Sequence, residues 1–290
     1  MNMLTNIEPY NFPVEIVDGS TFRIFDSLGL EMHIPSESYQ AVIRTDTREV
    51  LAIHGSSYKL TPHSEIIEAT NQALLESGLD LNHARVRDRV FDRGARIERR
   101  INFPQIITQP RVGDIVDFMI TIRNSYDGSW RYQLDAGARR LVCLNGMTLP
   151  TNTAVRTRQR HTSAINVDGE ATKIANAVDA FKDSEGVWRL WTETPVNDEQ
   201  IKGVWARSLA HAPTPSRPDN VSNKLLDRLM TGWQRESRML GRNLWAAYNA
   251  STAWATHEET VGKEHDVRKR RDERVHGMIN SKEWKELAEV

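Results

Sequence analysis

One cysteine, Cys143, stands in 290 residues, which excludes an internal disulfide and a thiolate-rich zinc site. No run approaches the roughly 20 apolar residues that span a bilayer. The start, MNMLTNIEPYNFPVEIVD, has no basic segment leading into an apolar one. A cytoplasmic protein with no signal peptide and no membrane association is therefore expected. Charge of one sign is also missing: 38 Lys and Arg against 39 Asp and Glu leave a formal net charge of −1. Bulk attraction to nucleic acid is absent, so any such surface has to be a local patch. There is no P-loop, no G-x-G-x-x-G turn after a strand, no H-E-x-x-H, no G-x-S-x-G and no calcium loop. His257-Glu258-Glu259 begins like a zinc motif but has Val261 where the second histidine belongs. No metal site, cofactor or catalytic residue is assigned, and the chain reads as a non-enzyme.

What is present is an ordinary globular composition, 39% hydrophobic and 27% charged, in a chain long enough for one large domain or two. AVIRTDTREVLAIHG (41–55) reads as a β-hairpin. TPHSEIIEATNQALLESG (61–78) reads as a helix, with Pro62 and Ser64 as start signals and Gly78 as stop. Residues 84–103 alternate charged and apolar side chains around Asp92-Arg93-Gly94, as in a hairpin with a polar outer face. DIVDFMITIRN (114–124) is the clearest strand, with Val116, Phe118, Ile120 and Ile122 on one face and Asp117, Met119, Thr121 and Arg123 on the other. Asp127-Gly128 turns it into SWRYQL, and GARRLVCLNGMTLP (137–150) follows as the next strand, ended by a turn at Asn145-Gly146. Beyond residue 168 the pattern is helical: 171–181, one or two helices in 188–210, a linker at 216–220, a long run over 222–259 and a mixed-charge tail containing RKRRDER (268–274). The tryptophans from Trp188 to Trp254 suit helix packing or an oligomer interface. The expected class is α+β: an antiparallel sheet with hairpins over 1–168, packed by helices, and a mainly helical part over 169–290.

The arginines are the chemical signal. From Gly137 to Val167 there is no acid, yet Arg139, Arg140, Arg156, Arg158 and Arg160 fall there. If residues 156–160 are extended, their arginines share one face at intervals of about 6.6–6.8 Å. That spacing is of the order of the roughly 6–7 Å between phosphates of a stretched nucleic-acid strand. Arginine suits bidentate phosphate contacts and stacking on bases. A second cluster, Arg85, Arg87, Arg89, Arg93, Arg96, Arg99 and Arg100, faces only Asp88, Asp92 and Glu98. Both clusters also fit solvated or edge-protecting surfaces. Arg131 lies between Trp130 and Tyr132, which are stacking platforms in one reading and core in the other. RKRRDER reads as a solvated helix face, because acids interrupt it. Cys143 would need a base such as His161, and charge help from Arg139 and Arg140, to act as a nucleophile. As a lone cysteine in an apolar strand it reads as a small buried hydrophobe.

AVIRTDTREVLAIHGSSYKLTPHSE, RNSYDGSWRYQL, ARRLVCLNGM and NLWAAYNASTAWATHEE together resemble the phage/plasmid-like family catalogued as domain of unknown function 932. The resemblance runs from about residue 38 to 260 and rests on Arg44, Asp46, Thr47, Glu49, Tyr58, Asn124, Asp127, Gly128, Arg140, Cys143 and Asn145. It does not extend to the basic hairpin at 84–103. It implies a phage or plasmid origin, hence the cytoplasm of a host cell, and supplies no activity of its own. The expected function is DNA binding, single-stranded binding or annealing in recombination or replication, by an oligomer. The contact residues would be Arg139, Arg140, Arg156, Arg158, Arg160, Arg96, Arg99, Arg100, Arg131 and Tyr132. Single-stranded DNA is the leading partner and double-stranded DNA the other. The alternatives are an anti-defence or regulatory protein that binds a host protein, and an uncharacterised enzyme.

Overall fold

The computed structural model describes residues 9–18, 24–25, 31–32, 38–142, 144–149, 156–162, 170–211, 216, 220–260 and 264–288. Strands come first: β1 Val14–Asp18, β2 Ile24–Phe25, β3 Glu31–Met32, β4 Tyr39–Arg44 and β5 Glu49–Gly55, then helix α1 His63–Glu76. The larger sheet follows as β6 Arg85–Phe91, β7 Arg96–Arg111, β8 Asp114–Ser125, β9 Tyr132–Arg140, β10 Asn145–Thr148 and β11 Arg156–Gln159. The rest is helical: α2 Glu170–Glu193, α3 Asp198–Ser208, α4 Asn223–Leu240, α5 Leu244–His257, α6 Glu264–Ile279 and α7 Lys282–Ala288. The class is α+β, with antiparallel sheets and a helical C-terminal part, as the patterning implies. One sheet has the order β1-β4-β5, and β2 pairs with β3. The other has the order β10-β9-β8-β7-β6, with β11 also paired to β9. Both short strands pair antiparallel with β9, Arg156–Gln159 against Asp135–Tyr132 and Asn145–Thr148 against Arg140–Gly137.

Four local details differ from the expected pattern. β7 runs on to Arg111, through Pro104 and Pro110. Its pairing with β6 ends at Arg85↔Asn102, so both prolines lie beyond the reach of β6, where a missing N–H breaks no β6 ladder bond. The polar faces of β7 and β8 are not outer faces: Arg96, Glu98, Arg99, Asp117 and Arg123 are all buried, because each charge finds an opposite one on a neighbouring strand or turn. The stretch 137–150 is not a single strand. β9 continues through Arg140, Leu144 lies at φ +55°, and Asn145-Gly146 opens β10. Helix 171–181 is likewise only the first half of a 24-residue α2, which stops before Pro195.

Two compact units emerge. The first is Met1–Asn102, Ile120–Asp135 and Val155–Asn176, and the second is Phe103–Met119, Ala136–Ala154 and Ala177–Val290. The first unit packs Phe12, Val42, Leu51, Tyr58, Ala95 and Tyr126 into one apolar cluster, with Tyr10, Ile67 and Ile97 in another. The second unit is centred on aromatic rings. Phe118 meets Phe181 at 5.4 Å, Phe181 meets Trp188 at 5.9 Å, and Trp188 meets Trp245 at 5.9 Å between centroids. Trp205, Trp233 and Trp284 are buried as well. Rings at such offsets add to area burial, so these tryptophans serve helix packing.

Candidate functional site

Most of the arginines singled out by sequence are committed to carboxylates. In the second unit, Arg139 donates to Asp117 at 2.5 and 3.2 Å. Arg140 donates to Asp114 at 2.5 Å and to Glu236 at 3.2 Å, with all three side chains buried. In the first unit, Arg96 donates to Asp127 at 2.7 Å, and Arg99 donates to both oxygens of Asp88 at 2.7 and 2.8 Å. Arg100 lies 2.9 Å from Glu98, which also accepts from Arg123, and Arg123 reaches on to Asp135 at 3.1 Å. Burial pushes the Glu98 carboxyl up, but the charges and hydrogen bonds of Arg123 and Arg100 outweigh it and hold the group at about 2. Tyr132 is fully buried and Trp130 nearly so, which makes both of them core. The backbone of Arg156 lies in β11; its side chain and Cys143 fall outside the described residues.

Arg131, Arg158 and Arg160 remain exposed. Among the described residues neither Arg131 nor Arg160 has a carboxylate within ion-pairing distance. Both rim a shallow cleft of about 370 Å³ in the first unit, whose wall includes His54, Tyr58 and His161. The three rings form a stack: His54 lies 4.0 Å from Tyr58 at 5° between planes, and Tyr58 lies 5.4 Å from His161 at 27°.

Local sequence builds this stack. β5 ends at Gly55, and the turn that follows, closed by Tyr58 N–H donating to the Gly55 carbonyl at 3.1 Å, swings Tyr58 over His54. Lys59 N–H donates to the His161 carbonyl at 2.6 Å, which anchors the turn after β11 beside it. The segment 124–130 supplies the floor. Ser125 Oγ both donates to the Trp130 carbonyl and accepts from its N–H, and Asp127 accepts from Ser129 N–H at 3.0 Å. Gly128 sits at φ +69°, and a β-carbon there would lie 3.3 Å from His54 Cε1. His54 Nε2 donates to the Tyr126 carbonyl at 2.5 Å. Behind it, His63 Nε2 donates to the Gly94 carbonyl at 3.0 Å and Nδ1 accepts from the Asn124 amide at 2.9 Å, the pattern of a neutral imidazole.

Electrostatically the cleft has a cationic rim, beside a wall that holds two groups with shifted titration. Burial, with a smaller push from His54, lowers His161 to about 4. Burial also raises the Tyr58 phenol, helped by the charge of Asp127. Both ring nitrogens of His161 and the Tyr58 hydroxyl are buried without a hydrogen-bond partner among the described residues. Buried polar atoms of that kind are uncommon and cost free energy until a ligand or water meets them. The cleft therefore offers two guanidinium groups for an anion beside a stack of rings whose own polar atoms are buried. Sequence patterning did not reveal this stack, since His54 and His161 stand 107 positions apart and belong to no spacing motif. Among the described residues no group of three or more His, Cys, Asp or Glu could hold a metal ion, and no helix is long and apolar enough to cross a membrane.

Fold and cleft together define an α+β protein with a cation-rimmed aromatic pocket. The chain belongs to the family described as Domain of unknown function (DUF932), whose family model matches residues 50–279. No curated protein and no solved structure matches it. The residues of the family resemblance divide between the units. Tyr58 and Gly128 line the cleft, Asp127 and Asn124 brace it, and Arg44 pairs with Asp46 at 2.7 Å while covering Phe12 at 4.1 Å. Arg140 and Asn145 are structural in the second unit, where Asn145 Oδ1 accepts from His257 at 2.9 Å and its amide donates toward Asn249 and Thr252.

Proposed function

We propose that the protein binds single-stranded nucleic acid, DNA foremost, at the Arg131–Arg160 cleft, and that it acts as a binding protein rather than an enzyme. One observation carries this reading: two exposed arginines, without carboxylate partners among the described residues, flank a stack of rings whose buried polar atoms lack partners among those residues. The guanidinium groups would hold backbone phosphates, with Arg158 exposed two residues along from Arg160. Bases of a flexible single strand would pack beside the His54–Tyr58–His161 ring stack. Arg96, Arg99, Arg100, Arg139 and Arg140 would serve the sheet in this reading, and Tyr132 its core. A host-protein partner docking through the tryptophans has less support, because those rings are buried.

The test is fluorescence anisotropy with single-stranded DNA, duplex DNA and RNA over a salt series, with particle mass measured alongside. Binding to the single strand should weaken linearly in log–log form, with about 0.7 of slope per phosphate contact. The double substitution Arg131→Gln with Arg160→Gln should lower the slope by about 1.4. An unchanged slope and affinity in that variant, or no binding by the parent, overturns the reading.

A further inference from the structure

We propose a second anion site, in the helical unit, that takes the phosphate group of a small ligand between helices α4 and α6 over Trp254. A cleft of about 330 Å³ lies there, and among the described residues its lining contains Lys224, Arg228, Arg270, Arg271 and Arg274 but no Asp or Glu. The placement follows from helical spacing. Lys224 and Arg228 are i and i+4 on α4, and Arg270 and Arg274 are i and i+4 on α6, so each helix turns a pair of cations to one side. Trp254, from α5, lies under Arg271 and Arg274 of α6, with their guanidinium carbons at 5.3 and 5.8 Å from its ring.

The mixed-charge run RKRRDER is sorted by this geometry. Arg268 turns to Glu264 at 2.8 Å, while Arg270, Arg271 and Arg274 turn to the cleft. Arg228 is the cation there with a carboxylate partner, Glu258 at 2.6 Å. Arg271 is fixed by two main-chain carbonyls, of Glu258 at 2.8 Å and Glu259 at 3.0 Å, which orient the guanidinium without neutralising it. Among the described residues Lys224, Arg270, Arg271 and Arg274 have no carboxylate within ion-pairing distance. Like charges crowded on a half-buried face are unfavourable unless an anion offsets them. Burial lowers Arg271, with Arg228 and Arg268 adding to the fall against the raising charges of Glu258 and Asp272, and burial and Arg271 lower Arg274. A doubly charged tetrahedral anion matches several guanidinium forks converging from two helices.

The experiment is calorimetric titration of the full chain with sodium phosphate and with a nucleoside monophosphate, against sodium chloride at matched ionic strength. Saturable binding is expected, weakened at least about tenfold by Arg274→Gln and by Arg270→Gln, since a hydrogen bond to a charged group contributes about 1.5–3 kcal/mol. Arg270 is exposed, so its variant keeps the test valid if Arg274→Gln fails to fold. Tighter binding of the monophosphate identifies a phosphorylated metabolite as the occupant, and equal affinity identifies free phosphate. The Arg131→Gln/Arg160→Gln protein should bind phosphate as the parent does, which separates this site from the nucleic-acid cleft. Heat matched by chloride, unchanged affinity in the Arg270 variant, or loss of binding on changing Arg131 and Arg160 overturns the proposal.

Discussion

Asp114 and Arg140 form an ion pair at 2.5 Å with both side chains buried. The second oxygen of Asp114 accepts the Trp245 indole N–H at 2.7 Å, and Glu236 accepts from the same guanidinium at 3.2 Å. A strand beginning, a strand end and two helices of the second unit are thus tied through one cation. Such a network is satisfied only as a whole, because each charge lost leaves its partners buried and uncompensated.

Replacing Arg140 with Met should therefore lower the unfolding free energy by about 3–5 kcal/mol in urea titration. Adding Asp114→Asn and Glu236→Gln removes the stranded charges and should recover part of that loss. A single-variant loss below about 1 kcal/mol would contradict the buried pairing.

Arg131 and Arg160 should behave oppositely. Both are exposed and outside the ion-pair network, so changing both to Gln should move stability by no more than about 0.5 kcal/mol each. Thermal unfolding of the double variant checks this, and a large shift would assign the pair a structural role.

Acid should destabilise the protein in two overlapping windows. Burial holds His63 at about 3 and His161 at about 4, against an ordinary value of 6.5. Below 6.5 the unfolded chain takes up protons that the folded one refuses, so stability falls with pH down to those lower values. Each histidine contributes up to about 1.4 kcal/mol per pH unit. Glu98, at about 2 against 4.5, adds a loss as pH falls from 4.5. In urea titrations across this range, His63→Phe should be less stable near neutrality but show a shallower slope between pH values of about 6 and 4. A slope equal to the parent's would remove His63 from this account.

Gly128→Ala should cost about 1–2 kcal/mol, since φ +69° is unfavourable for a residue with a β-carbon. The added methyl would also meet His54 Cε1 at 3.3 Å, so the ring stack must shift. Single-stranded DNA affinity should fall while the far-ultraviolet dichroism stays that of the parent. Unaltered affinity would place the ligand away from the stack.

Residue patterning carried the parts of this protein that depend on near neighbours. Helix α1 between Pro62 and Gly78, the alternation of β8, the Asp127-Gly128 turn and the helical C-terminal part all follow from periodicities of a few residues. So did family membership, through Tyr58, Asp127, Gly128 and Asn145. What patterning could not decide is which arginines face a partner and which face the protein. Arg139 and Arg160 stand in the same acid-free run, yet one is held by Asp117 from β8 and the other is exposed at the cleft. The acids that neutralise Arg139 and Arg140 lie 22, 26 and 96 positions away. Strand register and helix packing bring them there, and in a low-dielectric interior a charge has to be met wherever the fold places it. Local sequence thus determined the elements; only their tertiary pairing decided where positive charge is left to act.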